Sequence, residues 1–374
     1  METPERVGPR PGPITLSDLE EAASRCLDPR LWAYVAGGAG EERTVRANRA
    51  AFEAATLVPR AFGGAGEFDP RTRLLGADVD VPFFVAPTAY QGQIHPDGEL
   101  GVARAAAAAG ALAVFSTLST ASLEEIARAS GAGRRWFQLY HQPDAAVGRR
   151  LVERAERAGF AAIVLTADTP LLGVRDRQAR GGFAIDARQP VGNGPDIVPP
   201  ARGLTEGAGR YRIEPPTAPT WESVDTLREW TRLPIVVKGI LDRRDAEACV
   251  DHGAAGLVVS NHGGRQLDGA PATLEVLPEI AAAVGRRVEV YLDGGVRRGS
   301  DVLVALARGA RAVGLGRPIL WALSVGGERA VAEYLGLLRA ELLAAMVLTG
   351  TPTVDGREGS PRASPRDGPA RLEQ

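Results

Sequence analysis

The chain has 374 residues, with 44 basic and 46 acidic side chains and a formal charge of −2, a balance that excludes the basic footprint of a nucleic-acid binder or of a protein held to an anionic membrane. Apolar residues at 44% and charged residues at 24% belong to an ordinary folded domain with a sizeable core, so wholesale disorder is excluded as well. The two cysteines, Cys26 and Cys249, are too few and too far apart for a disulfide framework or a thiolate metal cluster.

In chain order, residues 1–15 are rich in Pro, Gly and Arg and read as a flexible start without the apolar centre of an export signal. No later run approaches the roughly eighteen uninterrupted apolar residues of a membrane span. A cytoplasmic protein away from the bilayer is the expectation. Leu16 to Phe52 reads as helical, and Phe62 to Pro82 as an irregular lead-in. From residue 81 onward a short apolar run, a turn and a helical stretch repeat. The runs are Val81 to Ala86, Ala113 to Ser116, Arg135 to Leu139, Ala162 to Thr166, Pro234 to Lys238, Gly256 to Ser260, Val288 to Asp293 and Ala312 to Leu315. Between them, Glu99 to Ala109 stops at Gly110, Ser122 with Glu125 forms a capping box, Ala145 to Ala158 ends at Gly159, and Asp242 to His252 ends at Gly253. Strands that are apolar on both faces and alternate with helices call for a parallel sheet covered on both sides.

Eight such units over about 240 residues predict an α/β protein, a (β/α)8 TIM barrel within a single domain spanning 16–350. A doubly wound open sheet is the alternative, but it needs a switch point and rarely uses eight evenly repeated units. The spacing of strand ends breaks once, between Thr166 and Lys238. The fourth βα connection therefore carries an insertion, whose Gly- and Pro-rich stretch 186–219 is expected to be a mobile loop over the barrel mouth. Glu328 to Leu348 reads as a terminal helix, and 351–374, loaded with Pro, Arg, Gly and Ser, as a disordered tail.

In such a barrel the chemistry belongs at the C-terminal strand ends. The polar residues there are Thr88, Ser116, Gln138 with Tyr140, Thr166 with Asp168, Lys238, Ser260 with Asn261 and His262, Asp293 and Gly316. Lys238 is the single lysine beside 43 arginines. Where Arg is the default cation, a Lys closing an apolar run marks a place that needs a compact ammonium. After the last two strands, Asp293 Gly294 Gly295 Val296 Arg297 and Gly314 Leu315 Gly316 Arg317 pair close-approach glycines with arginines, the pattern of a phosphate site at that position. After the sixth strand, His262 among glycines with Arg265 three residues on reads as a base beside an anion anchor, and Asp168 as the carboxylate that orients its imidazole. His252, His141 and His95 rank lower, and no group of residues has metal-ligand spacing.

The segments Tyr34 to Ala39 with Asn48, Ala86 to Tyr90, His95 to Glu99, Phe137 to Tyr140, Leu165 to Gly173, Val237 to Gly239, Val259 to Asp268 and Asp293 to Gly299 resemble the FMN-dependent 2-hydroxy acid oxidase and dehydrogenase family, which includes glycolate oxidase, lactate oxidase, mandelate dehydrogenase and hydroxymandelate oxidase. The resemblance runs from about Leu16 to Gly350. It implies that Pro87, Thr88, Ala89, Ser116, Gln138, Thr166 and Lys238 contact the flavin ring or ribityl chain, with Ser260 beside them, and that Asp293, Gly294, Gly295, Arg297, Gly316 and Arg317 hold the ribityl and phosphate end. Lys238 would then lie beside N1 and O2 of the ring, where an ammonium stabilises negative charge. Arg175 and Arg265 would grip the substrate carboxylate, Tyr34 and Tyr140 would donate hydrogen bonds, and His262 would be the base.

Two departures from the family pattern bear on substrate. The family often has two arginines where this chain has Val174 and Arg175, so Arg175 must anchor alone on that side. Glycolate-type members usually carry Trp where this chain has Leu118, which opens space for a bulkier substituent. Together with Ala86 to Tyr90 and the stretch Gly37 to Thr44, this leans toward the hydroxymandelate branch. The activity implied is oxidation of an (S)-2-hydroxy acid, aryl in character such as mandelate or 4-hydroxymandelate, to the 2-oxo acid, with O2 reduced to H2O2. A dehydrogenase using another acceptor and a short-chain, glycolate- or lactate-type oxidase are the alternatives. The resemblance also implies a homo-oligomer, a tetramer or octamer.

Overall fold

The structure is a computed structural model that describes residues 15–183, 191–202, 205–207, 210–212, 218–354 and 363–365. Three helices precede the barrel, Leu16–Cys26, Pro29–Ala36 and Arg43–Ala54. The first opens on a capping box between Thr15 and Asp18. The second opens with Asp28 as N-cap and Pro29 in its first turn.

The eight expected strands are all present: β1 (Phe83–Val85), β2 (Leu112–Ser116), β3 (Arg135–Leu139), β4 (Ile163–Thr166), β5 (Ile235–Ile240), β6 (Gly256–Val259), β7 (Glu289–Asp293) and β8 (Ala312–Leu315). Each pairs in parallel with the next, and β8 pairs with β1, closing the barrel. Helices Gly98–Ala108, Leu123–Ser130, Ala145–Arg157, Trp221–Trp230, Arg243–Asp251, Thr273–Val284 and Gly299–Ala307 follow the first seven strands, and Ser122 with Glu125 forms the expected capping box. The last helix is longer than expected. It runs Arg317–Thr349 and is broken at Gly326 and Gly327, where the Asp97 carboxylate accepts a hydrogen bond from the Glu328 N–H at 2.8 Å; the expected terminal helix is its second half.

The period of two along each strand divides the core. Phe83, Val85, Ala113, Phe115, Phe137, Ile163, Leu165, Val237, Leu257, Leu292 and Val313 face the helices. Their neighbours Phe84, Val114, Trp136, Val164, Val236, Val258 and Tyr291 fill the lumen. There Phe84, Trp136 and Tyr291 meet in tilted and edge contacts with centroids 5.5–6.5 Å apart.

The lead-in 62–82 is not wholly irregular, contrary to the sequence reading. Thr72–Leu74 and Ala77–Val79 form an antiparallel hairpin around Leu75 and Gly76, both at positive φ, and buried Leu74 and Val79 join the lumen cluster at the N-terminal end of the barrel. Glu289 fixes the hairpin by accepting the Leu75 N–H at 3.1 Å and the Tyr291 hydroxyl at 2.6 Å. A two-residue turn without Asn or Asp hides this hairpin from the usual turn signals.

The insertion after β4 holds a parallel pair, Leu171–Leu172 with Ala201–Arg202, a short helix Asp176–Gly181, and a hairpin of Thr205–Gly207 with Arg210–Arg212. Of the expected loop 186–219, residues 191–198 pack against the barrel. The Gly192 N–H donates to the Ser119 carbonyl (2.9 Å), Asn193 bridges the Leu123 N–H and the Thr117 carbonyl (both 3.0 Å), and the Val198 N–H reaches Gln142 (2.9 Å). Residues 186–190, 203–204, 208–209 and 213–217 of that loop lie outside the described residues. Of the tail, 351–354 and 363–365 are described; Ala363–Pro365 pairs antiparallel with Ala55–Leu57. No helix among the described residues is long and apolar enough to cross a membrane.

Candidate active site

The lumen changes character two residues beyond its apolar layer. Val114 is followed on the same face by Ser116, Trp136 by Gln138, Val164 by Thr166, Val236 by Lys238, Val258 by Ser260 and Tyr291 by Asp293. One alternating pattern thus builds both a dry floor and a polar ring at the C-terminal mouth. All six ring side chains are buried, and they bond in two runs of three, Ser116–Gln138–Thr166 and Lys238–Ser260–Asp293. Ser116 Oγ donates to Gln138 Oε1 (3.0 Å), Gln138 Nε2 to Thr166 Oγ1 (2.9 Å), Lys238 Nζ to Ser260 Oγ (3.0 Å) and Ser260 Oγ to Asp293 Oδ1 (2.6 Å). Thr88, between part-buried Pro87 and Ala89 after β1, accepts from Gln91 Nε2 at 2.9 Å.

The single lysine sits between two carboxylates, 3.9 Å from Asp168 Oδ2 and 3.7 Å from Asp293 Oδ2. Burial alone would lower its pKa, but Asp293 and Asp168 outweigh it and hold the ammonium above its usual value. Asp168 responds in kind. Burial pushes it up, yet Lys238 and then His262 pull it down to about 2, so it is ionised at any working pH. His262 stands at φ 58°, a left-handed conformation unusual for a side chain of its size. Its N–H is fixed to Ser260 Oγ (3.1 Å) and its Nδ1 lies 3.0 Å from Asp168 Oδ1. Burial, followed by Lys238, lowers its pKa against the opposing pull of Asp168. The imidazole is neutral near pH 7, with Nδ1 turned to the carboxylate and Nε2 left for chemistry.

Around this pair lie four arginines held mainly by backbone carbonyls, Arg175 also reaching the Gln266 amide oxygen at 3.5 Å. Arg265 Nη1 donates to Tyr34 O (2.7 Å) and Gly37 O (2.8 Å), and its guanidinium lies 5.1 Å over the Tyr34 ring. Arg175 Nε donates to Arg265 O (3.3 Å). Arg317 reaches Gly263 O and Gly37 O (both 2.8 Å), and Arg297 lies 4.8 Å over the Trp321 ring. Burial lowers all four; Arg265, Arg297 and Arg175 further depress Arg317, and Arg265 helps bring Arg175 to about 9. Among the described residues no carboxylate pairs with any of them. All four are part-buried, and charge drawn out of water without a counter-ion is costly, so the mouth is suited to anions brought from outside. At Gly295, φ 93° and a Cβ position only 2.5 Å from the Asn48 carbonyl leave room for glycine alone, while a Cβ at Gly316 would meet nothing nearer than Thr88 at 3.9 Å. Gly294 stands beside Gly295 with φ 96°.

Tyr140 is driven up by burial and by the Asp168 charge, and remains a neutral donor. Tyr34 and Tyr140 in turn act on the charge of both Arg175 and Arg265, so the six residues expected at the reacting centre share one electrostatic environment. Leu118, after β2, is buried, its N–H bonded to Ser116 Oγ (3.1 Å).

Sequence reasoning missed three supporting side chains. Gln266 Nε2 donates to Asp168 O (2.8 Å) and Leu171 O (2.9 Å), tying the β4 and β6 loops together. Phe183 stacks on Tyr34 with centroids 4.5 Å apart. Thr169 bonds the Asp168 carboxylate (2.9 Å). Gln266 lay within the strand-six motif and Thr169 within the segment Leu165 to Gly173, so both were open to recognition there; Phe183 carried no signal beyond adjacency to a loop. Asn48, noted in the sequence, exchanges two amide hydrogen bonds with Asn261 (2.9 and 2.8 Å), fastening the N-terminal helices to the mouth.

The sequence model of the family described as FMN-dependent dehydrogenase matches residues 23–360. A 4-hydroxymandelate oxidase from Amycolatopsis orientalis is 45% identical over 344 residues, covering 91% of this chain and 96% of its own. An L-lactate oxidase from Nostoc sp. is 44% identical over 345 residues, covering 90% and 94%. A crystal structure of mandelate oxidase with benzoyl-formic acid superposes with a TM-score of 0.86 at 43% identity, covering 94% of this chain and 98% of that one. A polar mouth carrying a neutral histidine, an ionised aspartate and unpaired arginines, on a barrel that matches these proteins over nearly its whole length, places the chain in the FMN-dependent dehydrogenase family as an FMN-dependent 2-hydroxy acid oxidase.

Proposed function

We propose that the chain oxidises an aryl (S)-2-hydroxy acid of the mandelate or 4-hydroxymandelate class. The observation that carries the chemistry is the neutral His262 held by ionised Asp168 beside carboxylate-free arginines. Arg297 and Arg317, with Gly294, Gly295, Gly316 and Asp293, would hold the FMN phosphate and ribityl end. Ser116, Gln138, Thr166, Lys238, Ser260, Pro87, Thr88 and Ala89 would line the ring. The unpaired guanidiniums and the open space at Gly316 fit that dianion. FMN, when bound, takes up two electrons and passes them to O2.

Arg175 and Arg265 grip the substrate carboxylate, with Tyr34 and Tyr140 donating to the bound acid. His262 removes the substrate proton at Nε2, and Asp168 stabilises the imidazolium at Nδ1. Because the base acts neutral and its pKa is lowered, the acid limb of kcat/KM falls below the ordinary imidazole value of about 6.5. The pH profile of kcat/KM checks this, and a limb above that value removes His262 from the role.

Leu118 carries the aryl preference. Identities of 45% to a 4-hydroxymandelate oxidase and 44% to a lactate oxidase do not separate the two substrate classes, whereas a buried isobutyl group in place of an indole leaves room for a ring. Burying that ring contributes about 2 kcal/mol, roughly 30-fold in specificity. Anaerobic bleaching and peroxide release against a panel of acids should favour mandelate over glycolate and lactate by at least that order, and Leu118→Trp should narrow or reverse the gap. Glycolate winning on the unmodified enzyme favours the short-chain reading; bleaching without peroxide under air favours a dehydrogenase. A cytoplasmic homo-oligomer, tetramer or octamer, belongs to the same proposal, and sedimentation of the purified protein tests the assembly.

A further inference from the structure

We propose that Thr169 is a positioning residue for the His262–Asp168 pair, fixing the tautomer of His262 and moderating the pull of Asp168 on its proton. The inference rests on the reading of His262 as the base. Thr169 follows Asp168 at the end of β4 and is 3% exposed. Its Oγ1 donates to Asp168 Oδ1 at 2.9 Å and stands 3.3 Å from His262 Nδ1, which is itself 3.0 Å from the same Oδ1. The three heavy atoms form a closed triangle.

The hydroxyl has one proton, and a carboxylate is its strongest available acceptor. With that proton committed to Asp168, Oγ1 presents only a lone pair to Nδ1. Two acceptors, Asp168 Oδ1 and Thr169 Oγ1, then face Nδ1, so Nδ1 carries the proton and Nε2 remains the free, basic nitrogen. A valine in this place offers the ring neither contact and leaves its orientation to Asp168 alone.

The second consequence concerns charge. Asp168 Oδ2 is buried and receives no hydrogen bond, so among the described residues Thr169 and His262 are the only hydrogen-bond donors to this carboxylate. A donated hydrogen bond stabilises the anion and lowers its basicity. Removing the Thr169 donor concentrates charge on Oδ1 and strengthens its hold on an imidazolium. The opposing effect, loss of a neutral lone pair 3.3 Å from Nδ1, is weaker, because bonds to ionised groups are about twice as strong as neutral ones. The other charged groups facing His262, Lys238 on β5 and Arg175 in the β4 connection, are untouched by the change. The net expectation is a His262 that protonates at higher pH without its Thr169 neighbour.

The chain has four histidines, so histidine-labelled holoenzyme gives a readable NMR titration. In Thr169→Val the His262 titration should move to higher pH. The acid limb of kcat/KM should move with it, with a loss on the order of tenfold at pH 5 that shrinks toward alkaline pH. Thr169→Ser, which restores the hydroxyl, should return both to the unmodified values. Thr169→Ala adds no bulk and carries the same test if the valine protein does not fold. An unmoved His262 titration, or a serine variant that behaves like valine, overturns the proposal. If the titration moves and the rate profile does not, Thr169 positions the pair as stated and His262 is not the base, so failure of the two readings is told apart.

Discussion

In a His262→Gln enzyme, anaerobic mixing with mandelate leaves the yellow colour in place. The expected loss in the reduction rate is at least the roughly 10² to 10⁴ that a positioned base supplies, while FMN and a 2-oxo acid continue to bind. The separation follows from the geometry. His262 contributes its ring to Asp168 and its N–H to Ser260, whereas the guanidiniums of Arg265, Arg317 and Arg175 are held by carbonyls of other residues. Removing the imidazole therefore removes a base and no anion anchor. The φ of 58° at this position calls for a control. Asparagine enters the left-handed region more readily than glutamine, so His262→Asn should fold at least as well and be equally slow. Substantial bleaching in both variants would place the base elsewhere.

Lys238→Met should be the most destabilising single change at the mouth. The ammonium is 4% exposed and is the nearest cation to both Asp168 and Asp293, at 3.9 and 3.7 Å. A methionine fills its volume but leaves the buried Asp168 and Asp293 carboxylates without the ammonium between them, and stripping the partner from a buried charge costs about 3–5 kcal/mol. The denaturation midpoint of the variant reads that loss. Lys238→Met with Asp293→Asn should recover part of it, because one of the stranded charges is gone, even though two ring residues have changed. A single variant as stable as the parent would show that water reaches these carboxylates and that the mouth is far less dry than its burial indicates.

The barrel was legible in the sequence because parallel strands buried on both faces read as continuous apolar runs, and eight of them alternated with helical stretches, three of which stop at Gly110, Gly159 and Gly253. The site was legible for a related reason. On an inward face that runs Val-x-Ser, Trp-x-Gln, Val-x-Thr, Val-x-Lys, Val-x-Ser and Tyr-x-Asp, polarity appears at the same step on six of the eight strands, and no structural demand asks for that. What stayed hidden depends on contacts between distant segments. The hairpin 72–79 has three-residue strands, too short for an alternating pattern, and draws its stability from Glu289 and the lumen aromatics. Leu171–Leu172 finds its partner thirty residues on, across a Gly- and Pro-rich stretch that reads as loop. Thr169 beside an aspartate looks like any turn residue until His262 arrives from β6.

Leu74 and Val79 pack beneath the barrel's lumen and continue its apolar layer at the end away from the polar ring. Beneath the polar ring the lumen is packed by Phe84, Trp136 and Tyr291, so among the described residues the polar face of the barrel is its C-terminal mouth. Under the proposed roles, a 2-oxo acid held by Arg175 and Arg265 would occupy the mouth that the next hydroxy acid must enter, so slow release of the product would slow the following turnover.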